Sequence, residues 1–185
     1  TSELTDTAAP APTPAPADTE PPADTEAPPE TEAPADTEVS PERVISLSPT
    51  HTEIMFAIGA GDRLVAVDQF SNFPAEALEL PNELSGFEPN IEEIAAFEPD
   101  LVLIGGDFTG LGDQLAELGI ASWDGPAAAT IEDTYAQIEQ LGAATGRVGD
   151  AAEVVSSMQT QLEETLDAAP ATDEPLKIYH EVDST

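Results

Sequence analysis

From Arg43 onward the chain alternates short apolar runs with stretches in which apolar residues recur every three or four positions. "RVISL" (Arg43 to Leu47) reads as a buried strand. Ser48 then suits an N-cap and Pro49 the first position of a helix over 49–58, which Gly59 ends. "LVAVD" (64–68) predicts a second strand, followed by the aromatic turn "QFSNFP" and a short helix from Pro74. "PNIEEIAAF" (89–97) predicts a helix and "DLVLIGG" (100–106) a third strand. Leu111, Leu115 and Leu118 mark another helix, and "IASWDG" a fourth strand. Ile131, Tyr135, Ile138 and Leu141 share one helical face.

A longer helix follows over about 148–168, with an apolar stripe of Val155, Met158, Leu162 and Leu166. At ~1.5 Å per residue it spans ~30 Å, the width of a small domain. Beyond Pro170, "PLKIYHEV" reads as a new strand with no partner of its own. Short apolar strands alternating with helices mean right-handed βαβ units. The fold class is therefore α/β: a parallel-sheet lobe with helices on both faces over 43–147. The long helix (148–169) leads from it to the first strand (170–185) of an incomplete second α/β lobe.

Composition separates residues 1–42 from the rest. They hold ten of the 18 prolines, eleven acids, no Lys or Arg and no aromatic residue. So little apolar surface cannot offset chain entropy, so this segment is expected to be disordered. "ADTE" recurs at 17–20, 23–26 and 35–38. A Pro/Thr/Glu-rich segment of this kind is an extended spacer.

The formal charge of −34 leaves 27 acids against four bases after Glu42. Such a surface disfavours nucleic acid and anionic lipid, which both need a positive partner. An adaptation to high salt and a lineage bias in composition explain the acidity equally well. Cysteine is absent, so no disulfide reports on the redox compartment.

The stretch "SLSPTHTEIMFAIGAG" (46–61) runs from strand to helix at the edge where α/β proteins hold ligands. It suits a metal or catalytic site, a phosphate cradle, or one wall of a cleft. His51 and Glu53 stand ~200° apart on a helix and cannot chelate one ion together. The only other histidine, His180, lies beyond the long helix, so no metal is expected. Their ordinary roles are a polar histidine and a carboxylate capping the helix start.

"GAG" (59–61) follows a helix, and "GGDFTGLG" (105–112) has no GK[ST] ending, so neither reads as a phosphate loop. No GxSxG elbow or nucleophile–base pair is found, so no catalytic residue is expected. The carboxyl ends of the strands instead bring phenylalanines and small residues. Ser48, Pro49, Thr50, Phe70, Phe73, Phe87, Gly105, Gly106 and Phe108 are the candidate ligand-binding residues.

"RVISLSPTHTEIMFAIGAGDRLVAVDQFSNFPAEALELP" and "GFEPNIEEIAAFEPDLVLI" closely resemble the N-terminal lobe of the class III substrate-binding proteins of ABC importers. These include vitamin B12-binding and ferric-siderophore-binding proteins, and the likeness runs from about Arg43 to Asp167. It implies two α/β lobes joined by one rigid helix, with the ligand between them. It further implies that Phe70, Phe73, Phe87 and the 105–108 loop form this lobe's half of the cleft.

A glutamate on each lobe of the family docks onto permease arginines. By position after "PN" it is Glu92, with Glu93 its neighbour. The resemblance implies an extracytoplasmic, monomeric, lipid-anchored protein without a cofactor. Its small-molecule metal chelate would itself carry cobalt or iron, and its partner would be the importer permease.

Arg43, Arg63 and Arg147 fall away from the cleft edge. A haem or catecholate ligand wants cations there, whereas a corrinoid or hydroxamate siderophore does not. The alternatives are an extracytoplasmic α/β enzyme, with a polar catalytic set in the 48–52 and 105–108 loops, and a non-binding surface domain.

Overall fold

The computed structural model describes residues 40–169. Four short strands, β1 (Val44–Ser46), β2 (Leu64–Val67), β3 (Leu101–Ile104) and β4 (Ala121–Asp124), form one parallel sheet in the order β2-β1-β3-β4. Five helices surround it: α1 (Pro49–Ala57), α2 (Ile91–Ala96), α3 (Leu111–Glu117), α4 (Ile131–Ala144) and α5 (Val148–Ala168).

The alternation of strand side chains divides the core in two. Val44, Leu101 and Leu103 point to the face covered by Ile54, Met55 and Ile58 of α1, Ile138 and Leu141 of α4, and Ala151 and Val155 of α5. Ile45, Val102 and Ile104 point to the other face, under Ile94 of α2 and Leu111 and Leu115 of α3. Helices thus cover both faces, as the apolar pattern requires. At Gly142 a Cβ would lie 2.4 Å from the Cβ of Ala151, so this glycine lets α4 and α5 pack closely.

Three arginines tie the loops down far from the carboxyl edge. Arg43 donates from its Nε to the Glu98 carbonyl at 3.0 Å and from Nη2 to the Phe97 carbonyl. It thereby satisfies the two carbonyls just past the end of α2, where Glu98 sits in the left-handed region at φ 50°. Arg63 donates to the Thr145 carbonyl at the end of α4, at 2.6 Å. Arg147 pairs with Asp150 across a half-exposed 3.7 Å contact. None of the three lines the pockets at the carboxyl edge of the sheet.

Several expected boundaries shift inward. β2 ends at Val67, because Asp68 leaves the ladder to bridge Leu84. The segment after Pro74 is a 3-10 turn over Ala75–Glu79 rather than an α-helix. The helix expected over 89–97 is Ile91–Ala96, because Asn90 caps it by accepting from the Glu92 and Glu93 amides. The fourth strand lies at an exposed edge of the sheet. The expected strand at 170–185 lies outside the described residues, as does almost all of the expected spacer.

The long helix runs unbroken, but only its first half packs. Ala151 and Val155 are buried, whereas Leu162 and Leu166 are exposed, and from Gln159 on every residue is open to solvent. Among the described residues no helix is long and apolar enough to cross a membrane.

Candidate ligand-binding cleft

The sheet order sets the site. From β1 the chain steps outward to β2, then returns past β1 to β3 and on to β4. The carboxyl ends of β1 and β3 therefore flank the point where the winding reverses, and loops leave in opposite directions to open a crevice. Ser48 follows β1 and Gly105 follows β3. A Cβ on Gly105 would come within 3.1 Å of the Ser48 Cβ, so glycine there lets the two strand ends converge.

A groove of about 660 Å³ opens above them. Ser48, Pro49, Phe70, Phe87, Gly105, Gly106 and Phe108 all line it, together with Leu47, Asp68 and Gly86. Seven of the nine residues expected from sequence thus share one surface. Phe70 and Phe87 stand edge to face, with centroids 5.9 Å apart. Phe87 is 77% and Phe108 92% exposed, so these rings are wall rather than core.

Their placement has local causes. A Cβ on Gly86 would lie 2.3 Å from the Leu47 carbonyl oxygen, so glycine lets the Phe87 loop press onto β1's end. Gly106, at φ +108°, adopts backbone that side chains disfavour, and the Phe108 ring folds over it. The Gly106 amide donates to Asp124 Oδ1 at 2.9 Å. Asp107 accepts the Leu111 amide at 2.7 Å and the Gly112 amide at 3.0 Å, which fixes the start of α3. The Gly112 and neighbouring amides hold its carboxyl below the usual aspartate range.

Beneath the groove runs a buried polar chain. Ser71 Oγ donates to Asp68 Oδ1 at 2.5 Å, and Thr52 Oγ1 lies 2.9 Å from both Ser71 Oγ and Ser46 Oγ. Ser46 Oγ donates to the Ser48 carbonyl at 3.0 Å. These contacts tie the turn carrying Phe70 to the first turn of α1. Asp68, an acid directly after an apolar strand at the ligand edge, was not among the residues expected from sequence. Its position in "VAVDQ" was the available signal.

Two expected residues sit elsewhere. Phe73 lies in a separate side groove with Ile54, Ala57, Val154 and Met158, formed by α1, α4 and α5. Thr50 lines that groove and a second cavity, beside the phenylalanine groove. The roles given to the α1 start also change. Ser48 occupies the N-cap without a side-chain cap bond. Glu53 lies past the first turn, exposed, and caps nothing.

His51, expected as an ordinary polar histidine near this edge, is buried at 1% exposure. Its ring meets Trp123 edge to face at 4.9 Å, and its Nδ1 has no hydrogen-bond partner among the described residues. Burial lowers its pKa from 6.5 to about 4, against a backbone hydrogen bond to Gly125 and the charge of Asp124. It is neutral at pH 7. No cluster of three or more metal-ligating side chains occurs among the described residues.

Residues 44–184 match the family of periplasmic binding proteins. The chain belongs to this family of solute-binding proteins, which places it outside the cytoplasm. A vitamin B12-binding protein of Yersinia pestis is 49% identical over 81 residues, covering 43% of this chain and 29% of the relative. Among solved structures, the periplasmic vitamin B12-binding protein of Vibrio cholerae is 30% identical with TM-score 0.56, over 70% of this chain and 52% of that one. A protein of an Fe3+-hydroxamate ABC transport system from Saccharomonospora viridis is 28% identical with TM-score 0.56, over 70% and 51%. The chain thus spans about half the length of these solved relatives and less than a third of the curated one.

Proposed function

We propose that this chain is the N-terminal lobe of an extracytoplasmic solute-binding protein that captures a metal chelate, a cobalamin or a ferric siderophore, and delivers it to an ABC importer. The carrying observation is the phenylalanine-walled groove at the winding reversal, with no Lys or Arg among the described residues that line it. Aromatic walls suit a bulky, weakly charged ligand. A groove open on one side fits a ligand closed in by a second lobe, reached through α5, whose exposed Leu162 and Leu166 would pack there. The cleft acts by capture without chemistry.

Glu92 suits the docking role better than Glu93. Glu93 Oε1 accepts from Asn90 Nδ2 at 3.1 Å and so serves the helix cap, while the exposed Glu92 carboxylate takes no such bond among the described residues. The Pro/Thr/Glu-rich N-terminal segment supports a spacer behind a lipid anchor, with the protein working as a monomer.

Equilibrium dialysis of the full-length protein against cyanocobalamin and ferrioxamine B tests the reading. Saturable binding of either supports it. Binding of neither, by a folded two-lobe protein, overturns it.

A further inference from the structure

Of the described residues that line the phenylalanine groove, one carries a charge, and it is an acid. Asp68 is only 2% exposed. Its backbone amide donates to the Ser46 carbonyl at 2.9 Å, which locks it to the end of β1. Its carboxylate accepts a single hydrogen bond among the described residues, from Ser71 Oγ to Oδ1. Oδ2 takes none. A carboxylate so far from water ordinarily has a cation or several donors around it.

The surroundings of Oδ2 leave room for such a partner. A Cβ on Gly86 would lie 3.6 Å from it, so the glycine keeps open a space that a side chain would fill. Gly86 and Asp68 line the same groove, beside Phe70, Phe87 and Phe108. Those three rings are half or more exposed, and the face of an aromatic ring attracts an organic cation, the more so where water is excluded. The 27 acids against four bases after Glu42 add a field that draws cations toward the surface. The turn at Ser71 does not require the charge, because an asparagine Oδ1 in place of Asp68 would accept the same hydrogen bond.

We infer that this groove selects for positive charge: Asp68 receives an ammonium group carried by the ligand, and the phenylalanine rings enclose it. Asp68 is then a specificity-determining residue. An anionic group in the same place would meet a fixed negative charge, with no Lys or Arg among the described lining residues to relieve it. The inference rests on the proposed capture of a metal chelate and adds the sign of the chelate's charge.

The test is equilibrium dialysis of the full-length protein with ferrioxamine B, which carries a terminal ammonium, and with its N-acetyl derivative, in which that group is a neutral amide. The iron centre is the same in both. The wild type should bind the ammonium form about tenfold or more tighter, the size of a desolvated charge-assisted contact. Asp68→Asn keeps the shape and the Ser71 bond, and should bring the two affinities to within about threefold. Phe108→Lys, at a site open to solvent, puts a cation of the protein's own into the groove and should lower the ratio as well, which guards against a misfolded first variant.

Equal binding of the two forms by the wild type overturns the inference. So does a ratio unmoved in folded Asp68→Asn, or unmoved in Phe108→Lys. In each case the transport reading stands. Binding of cyanocobalamin without ferrioxamine B also overturns the inference while upholding that reading, whereas binding of neither removes the reading itself.

Discussion

The ring of Phe70 meets the ring of Phe87 edge to face, with centroids 5.9 Å apart and an interplanar angle of 76°. The contact joins the loop after β2 to the loop lying over the end of β1, and both rings keep much of their surface in solvent. Because Phe87 contributes little to the core, Phe87→Ala should leave the melting temperature of the lobe nearly unchanged. In the full-length protein it should weaken ligand affinity by ~1–3 kcal/mol, the size of a lost aromatic contact. Titration with cyanocobalamin, paired with thermal melting, separates the two effects. An equal loss of stability would return Phe87 to the core.

His51 makes stability fall with acid. Its imidazole takes a proton near pH 6.5 when unfolded but only near about 4 when folded. Between those values the unfolded state holds more protons, so stability is full above about pH 6.5 and declines as pH drops toward 4. The full contribution is up to about 3 kcal/mol. Urea midpoints measured at pH 7 and at about pH 5 should drop more steeply for the wild type than for His51→Gln, which cannot titrate. Parallel profiles would place the acid sensitivity elsewhere.

Glu92 and Glu93 are neighbours for which different roles are proposed. Glu92→Arg should leave ligand binding intact and abolish uptake by cells. Glu93→Ala should instead cost a few tenths to about 1 kcal/mol of stability through the cap at Asn90, with uptake largely retained. Uptake assays on both variants, beside denaturation curves, distinguish docking from capping. Retained uptake in Glu92→Arg would exclude it from the permease contact.

The two halves of α5 should behave differently in this chain. Residues 148–158 are held by packing against α4 and the sheet, while residues 159–168 have only their own helical bonds. An isolated helical end of that length is marginal in water. Amide exchange should accordingly be at least tenfold faster in 159–168 than in 148–158 for the 185-residue chain. Uniform protection along α5 would mean that something already covers Leu162 and Leu166.

Much of this was legible in the sequence because the signals were local and redundant. The strand at Val44–Ser46, the Pro49 helix start and the helical stripes of α4 and α5 each follow from periodicity and capping. The groove residues followed from one rule, that loops at the carboxyl edge of a parallel sheet meet a ligand. Phe73 departs from it because its turn carries it over the edge of α1 into the side groove. The burial of Asp68 and His51 at this edge was not legible. A polar residue next to an apolar run looks the same in sequence whether it faces water or the interior.

Native mass spectrometry of the protein recovered from its own cells tests the central claim most directly. A folded chain about twice the length of this lobe, carrying a bound corrinoid or ferric chelate, is the predicted result. A folded protein that carries no such ligand and takes up neither cyanocobalamin nor ferrioxamine B when offered them would contradict it.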